Sequence, residues 1–137
     1  MNAERLHLKR DTVRHVVETA YDRYAISTGS DGGVHITCNA GGPPLRLSVG
    51  EARCMAHLMN AAMDCVTDAS GKGVVFIHMG AQRVINCVRS RSSVRVQVLE
   101  SISSTEPIAW FDLSTAGVRL FAEALIDVAI YAGAETC

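Results

Sequence analysis

The sequence is poor in aromatic residues and lacks long hydrophobic runs. Phe, Trp and Tyr make up 5% of its 137 residues, and there is a single Trp. Every apolar run is interrupted well before the roughly 18 residues needed to cross a bilayer, so we expect no membrane-spanning helix. Apolar residues at 48% and charged residues at 20% are ordinary for a globular protein and exclude a disordered tail. A chain of this length is expected to form one domain, residues 1–137.

The cysteines are odd in number and contain no CxxC pair, which argues against a disulfide framework and a structural zinc site. They are Cys38, Cys54, Cys65, Cys87 and Cys137. Cys54 and His57 would lie one helical turn apart and could supply half of a metal site, but a small apolar Cys beside a surface His is the simpler interpretation. The first ten residues are charged and lack the apolar core of a signal peptide. We therefore predict a cytoplasmic protein without metal or cofactor.

Motifs of familiar catalytic centres are also missing. The sequence has no GxSxG, HExxH or P-loop, and no GxGxxG at a strand-to-helix turn. The glycine-rich segment 29–33 is typical of a hairpin turn rather than a phosphate loop. His35, His57 and His78 fall on different predicted elements. We predict a binding protein with no catalytic residues, not an enzyme.

What the sequence does contain is a diverged internal repeat, seen as alternating apolar and polar residues on either side of the connection 69–73. The predicted strands span 23–27 and 34–38 in the first half, and 74–80, 83–89 and 94–100 in the second. Each half ends in a short strand that runs into a helix, first Leu45–Ser48 before 49–66, then Phe111–Ser114 before 115–131. The fold class predicted is α+β, with two antiparallel strand-strand-strand-helix repeats, approximately 23–68 and 74–131, packed as one domain.

The segment before Arg23 predicts an additional N-terminal helix. Asp11 can cap it, and its apolar residues recur at helical spacing. They are Val13, Val16, Val17, Ala20 and Tyr21. The β-branched content leaves a strand as the alternative, which would complete the repeat.

The net charge of −1 conceals a predicted segregation of charge. Strand alternation assigns Val34, Val94 and Val96 to the core, whereas arginines fall on the opposite, outer face of the sheet and most acids fall on helices. Arginines around an exposed aromatic are typical of a surface for single-stranded nucleic acid, because guanidinium groups pair with phosphates and the aromatic ring stacks on bases. The candidate binding residues are Arg23, Arg46, Arg83, Arg89, Arg91, Arg95, Gln97 and Trp110. The alternative is ordinary solvent-facing arginines with Trp110 in the core.

Both predicted helices have only a narrow polar stripe, so they require burial on several sides. They can pack on each other and on the sheet, or against a second subunit. We predict a homodimer, with Met55, Met59, Leu120 and Leu125 as candidate interface residues.

Strands that end in x-Leu-Ser and run into an amphipathic helix, in duplicate, resemble Pur-repeat proteins, Whirly proteins and the related single-strand-binding transcriptional coactivators. The segments that carry the resemblance are Pro44–Ser48 and Ala109–Ser114, each with its following helix. The resemblance implies binding of single-stranded DNA or RNA on sheet surfaces, and dimerisation.

A second resemblance implies a different partner. The order helix, three strands, helix, further strands and a last helix in a slightly acidic chain is similar to type III secretion chaperones, which are dimers that hold a partner polypeptide. Small phage-encoded or immunity-type inhibitors have the same motif-free character. Both imply a protein-interaction module that uses exposed strand edges or grooves.

Overall fold

A computed structural model describes residues 14–18, 23–39, 44–64, 74–79, 83–90 and 92–136, with 74–79 and 134–136 described by their backbone alone. The strands are β1 (Arg14–Glu18), β2 (Arg23–Thr28), β3 (Val34–Cys38), β4 (Leu45–Leu47), β5 (Val74–Met79), β6 (Val84–Arg89), β7 (Ser93–Leu99) and β8 (Ala109–Ser114), and the helices are α1 (Val49–Asp64) and α2 (Thr115–Thr136). The predicted mixture of antiparallel strands and helices is confirmed, so the fold class is α+β.

The strands form two antiparallel sheets. Sheet A has the order β1-β2-β3-β4, and sheet B has the order β5-β6-β7-β8. The chain divides into two compact units, one of Met1–Arg53 with Glu123–Cys137, which contains sheet A, and one of Cys54–Ala122, which contains sheet B.

The prediction of an N-terminal helix is wrong over residues 14–18, which form strand β1. This strand pairs antiparallel with β2, with His15 opposite Ile26 and Val17 opposite Tyr24. Val16 and Val17 are β-branched, and branched side chains favour a pleated strand over a helix. Tertiary pairing with β2 therefore overrides the helical spacing of the apolar residues. The rest of the predicted helix lies outside the described residues.

One face of sheet A is buried and the other is exposed. The buried face carries Val17, Tyr24, Ile26, Val34, Ile36, Leu45 and Leu47, in alternation with outward-facing residues. The segment 29–33 is a hairpin turn, as predicted, with the Gly29 N–H donating to the Gly33 carbonyl at 2.9 Å. Gly32 has a φ of 82°, a left-handed conformation that favours glycine.

Sheet B is built in the same way around a buried inner face. Ile85, Cys87, Val94, Val96, Val98, Phe111 and Leu113 form it. Phe111 of β8 meets Phe121 of α2 with ring centroids 5.8 Å apart, so the N-terminal part of α2 covers this face. Burial raises the pKa of the Cys87 thiol to about 12, which keeps it protonated and unreactive.

Helix α1 begins with a capping box formed by Ser48 and Glu51. The Glu51 N–H donates to Ser48 Oγ at 3.0 Å, and the Ser48 N–H donates to Glu51 Oε1 at 2.9 Å. These bonds satisfy donors that a helix start leaves free. Within the part of the chain that the structure describes, no helix is long and apolar enough to cross a membrane.

Three of the four residues predicted to form a homodimer interface on the helices are buried within the chain. Met55, Met59 and Leu125 are completely inaccessible to solvent within a single chain, whereas Leu120 is 57% exposed. Buried methionines fill core space, so the narrow polar stripes need no second subunit to explain them. Leu120 alone of the four remains available to a partner.

Candidate nucleic-acid interface

The exposed face of sheet B brings three of the predicted binding residues together. Gln97 of β7 lies directly opposite Trp110 of β8, and Arg95 lies opposite Asp112. All four side chains project from the face opposite the buried one, because residues two apart on a strand share a face. Trp110 is 54% exposed, which is unusual for so large an apolar side chain. We call Arg95, Gln97, Trp110 and Asp112 the tryptophan face.

Within the tryptophan face, the guanidinium of Arg95 is fixed by two contacts. It donates to Asp112 through Nε at 2.7 Å and through Nη2 at 2.8 Å. The carbon of the guanidinium also lies over the Trp110 ring, 4.8 Å from the ring centroid. Hydrogen bonds and the charge of Asp112 raise the pKa of Arg95 further above its ordinary value. Arg95 is thus a permanently charged, oriented group beside an exposed indole.

A polar row crosses the sheet next to the indole. Asn86 of β6 lies opposite Gln97, which lies opposite Trp110. The Oδ1 of Asn86 is enclosed and has no hydrogen-bond partner among the described residues, so Gln97 is the amide of this row that is placed to bond a base edge. The sequence prediction missed Asn86, although its position as the polar residue within the apolar run 84–88 indicated its face.

Arg89 does not belong to this surface, which corrects its predicted place. It shares its side of β6 with the buried Ile85 and Cys87, and it lies opposite Val94 of the inner face. Its Nη1 lies 2.9 Å from the sulfur of Met63, on α1. Both faces of β6 carry apolar residues, so the alternation of apolar and polar residues did not show on which face of the strand Arg89 lies.

The remaining arginines near β6 add little to the tryptophan face. Arg83 precedes the strand, is half-buried and already has an interaction within the chain. Arg91 lies outside the described residues.

A second basic surface lies on the exposed face of sheet A. Arg23 and Arg46 project there, as does Arg14 of β1, with Glu18 as the acid among the strand residues of this face. Arg23 Nε is 3.5 Å from Glu18 Oε1, an exposed pair that contributes little to stability. Arg14 was missed because the segment around it was predicted to be a helix. We call Arg14, Arg23 and Arg46 the arginine face.

The other candidate ligands and nucleophiles do not converge. Among the described residues, no group of three or more His, Cys, Asp or Glu side chains is arranged to hold a metal ion. Cys54 is half-buried on α1, and Cys38 and Cys87 are free thiols.

Comparison with known proteins does not assign the chain to a family. No protein-family model matches the sequence, and no curated protein matches it.

Proposed function

We propose that this chain is a non-enzymatic protein that binds single-stranded DNA or RNA on the exposed faces of its sheets. The observation that carries the proposal is Trp110, an indole 54% exposed on an open antiparallel sheet, with the guanidinium of Arg95 held over its ring. Stacking of a base on such a ring contributes about 1–3 kcal/mol and tolerates any sequence, because every base has a π-face.

Arg95 has a different role in this proposal from the phosphate contact expected at first. Its carboxylate partner Asp112 occupies two of its donors, so a phosphate would have to compete with a bidentate ion pair. The planar guanidinium can instead extend the stacking surface of Trp110, since bases stack on arginine planes as well as on aromatic rings. Gln97 would supply hydrogen bonds to a base edge.

Phosphate contacts are assigned to the arginine face. It carries three arginines and one acid on its strand residues, a local excess of positive charge in a chain whose net charge is −1. Exposed arginines along strands can follow the backbone of a single strand without reading its sequence.

The duplicated layout also supports the proposal by analogy. Pro44–Ser48 and Ala109–Ser114, which carry the resemblance to Pur-repeat and Whirly proteins, contain the last strand of each four-stranded sheet, and a helix follows each. We interpret the two halves as diverged copies of one strand-and-helix unit, with β1 and β5 as their matching first strands. Similarity of layout supports function only by association.

The test is fluorescence anisotropy of a labelled, mixed-sequence single-stranded oligonucleotide at two salt concentrations. Trp110→Leu should weaken binding about tenfold or more, because the stacking contact is lost. Arg23→Ala should weaken it less and should reduce the log–log salt slope by about 0.7 for a phosphate contact to a single strand.

The matched control is Arg119→Ala. Arg119 also pairs with an aspartate, Asp64 at 2.7 Å, but it lies on α2. This variant should bind like wild type, although it loses one positive charge, as Arg23→Ala does. Absence of binding at low salt, or equal losses in Trp110→Leu and Arg119→Ala, would contradict the proposal.

One observation favours the second candidate, a protein-interaction module of the adaptor or inhibitor kind. Ile102 and Ile108, in the connection between β7 and β8, are exposed and apolar, and Trp110 follows closely in sequence. Exposed apolar residues close together in sequence favour a protein-binding surface if they form one contiguous patch. If the oligonucleotide does not bind, co-purification from the native host should recover a partner that the double variant Ile102→Ser with Ile108→Ser loses.

A further inference from the structure

Strand β1 is an edge strand of sheet A, and its outward backbone groups can be identified. The Asn39 N–H donates to the Arg23 carbonyl, and the Gly29 N–H donates to the Gly33 carbonyl, both at 2.9 Å. Odd-numbered residues of β2 therefore bond to β3, and even-numbered ones bond to β1. Since Tyr24 and Ile26 pair with Val17 and His15, those two residues of β1 face inward along the ladder. The N–H and C=O groups of the alternate residues, Arg14, Val16 and Glu18, point away from the sheet.

The side chains of these same three residues lie on the exposed face. Arg14 and Glu18 are exposed, and Val16 is 42% exposed, which makes it one of the few large apolar side chains open to solvent among the described residues. Among the described residues, no other strand pairs with this edge. A strand edge that offers unpaired backbone groups beside an exposed valine is suited to pairing with another strand.

The sequence of β1 makes it complementary to itself. In an antiparallel pair of two β1 strands centred on Val16, position 14 of one strand lies opposite position 18 of the other. Arg14 then meets a glutamate at both ends, and the two valines meet in the middle. This register also places every outward N–H and C=O of the strand in a hydrogen-bonded pair.

We propose that two copies of this chain associate through their β1 strands in this register. Arg14 faces the partner's Glu18, and Val16 packs against the partner's Val16. The two copies of sheet A then form one continuous sheet of eight strands, since each copy contributes four.

The other edge strands with described side chains do not offer such a match. The bond from the Thr115 N–H to the Ser92 carbonyl shows that Trp110, Asp112 and Ser114 have the outward backbone groups of β8. Two β8 strands that use these groups can overlap over five residues in two registers, one with Asp112 opposite the partner's Asp112 and one with Asp112 opposite the partner's Trp110, and neither register pairs opposite charges. Strand β4 has three residues, with Arg46 at its centre, and it follows Pro44, which has no N–H to donate. Charge complementarity thus selects β1.

Charge exchange tests this register directly in sedimentation velocity. Wild type should contain a species of about twice 14.7 kDa. Arg14→Glu or Glu18→Arg alone places like charges opposite each other at both ends of the strand pair and should weaken dimerisation roughly tenfold or more. The double variant Arg14→Glu with Glu18→Arg restores opposite charges and should recover the dimer.

Two further variants distinguish the β1 interface from an interface through the exposed leucine of α2. Val16→Pro removes an N–H that points away from β2, so it should abolish the dimer while the circular dichroism of the chain is retained. Leu120→Ser removes the exposed leucine of α2 and should leave the dimer unchanged. If Val16→Pro does not fold, the charge exchange still decides.

A monomeric wild type at concentrations up to the high micromolar range would overturn the proposal. So would loss of the dimer in Leu120→Ser, or failure of the double variant to recover it. Sedimentation is measured without an oligonucleotide, so the inference does not rest on nucleic-acid binding, although Arg14 belongs both to the strand pair and to the arginine face. A protein that dimerises without binding the oligonucleotide would contradict the proposed function alone.

Discussion

At the scale of single residues, Arg89 has an energetically unfavourable position. Its Nε is enclosed and has no hydrogen-bond partner in the described part of the chain, and its Nη1 meets only the thioether of Met63, a weak acceptor. The side chain is half-buried, and enclosing part of a charged group without a carboxylate partner is costly. Arg89→Met keeps the length of the side chain and should raise the free energy of unfolding by about 1 kcal/mol, measured by urea denaturation. A loss of stability would show that the guanidinium makes a net favourable contact.

Asp31 in the turn between β2 and β3 should contribute stability that depends on pH. The Gly33 N–H donates to its Oδ1 at 3.0 Å, and this bond, followed by the contact with His35, lowers the pKa of Asp31 below its ordinary value of 3.8. A lowered folded-state pKa stabilises the fold above the unfolded-state pKa, and this contribution disappears as the pH falls through the folded-state value. Wild type should therefore exceed Asp31→Asn in stability at pH values above 3.8, and the difference should vanish in stronger acid. A difference that does not change with pH would refute this role.

At the scale of elements, the start of α1 is fixed by a capping box, and α2 offers a matched control. Ser48→Ala removes the oxygen that accepts from the Glu51 N–H and should cost about 1 kcal/mol in the free energy of unfolding. Ser114, which precedes α2, forms no side-chain hydrogen bond with any residue that the structure describes. Ser114→Ala should therefore cost clearly less. Equal losses in the two variants would mean that the capping bond adds nothing to α1.

Elements with one clear periodicity could be predicted from the sequence, and ambiguous ones could not. Strand β3 and the beginnings of both helices match their predicted limits, because alternation and capping act locally. Strand β1 satisfied helical spacing equally well, and only its pairing with β2 decides its conformation. Pairing between strands is a long-range contact, and the periodicity of a five-residue strand carries no information about it.

The candidate site was predictable in part for the same reason. Trp110 and Arg95 flank apolar residues that alternate cleanly, so their common face follows from the sequence. Arg89 ends a strand in which both faces are largely apolar, and its side depends on the register with β7. The ion pair between Arg95 and Asp112 joins residues 17 positions apart, and only the register of β7 and β8 places them opposite each other.

At the scale of the whole molecule, a net charge of −1 provides little long-range attraction for nucleic acid. Binding must therefore depend on local contacts, on the exposed indole and on the arginine face. A duplex offers no free base to stack on Trp110, so single strands should bind more tightly than duplexes of the same sequence.

The most direct measurement is the intrinsic fluorescence of Trp110 during titration with an unlabelled single-stranded oligonucleotide. The chain contains one tryptophan and three tyrosines, so emission excited at a wavelength that only tryptophan absorbs reports on this residue alone. Stacking of a base on the indole should quench the emission, with the same midpoint as the anisotropy titration and with a shift to higher concentration as salt is added. Unchanged emission while anisotropy shows saturation would place the nucleic acid elsewhere on the molecule and contradict the central role of Trp110.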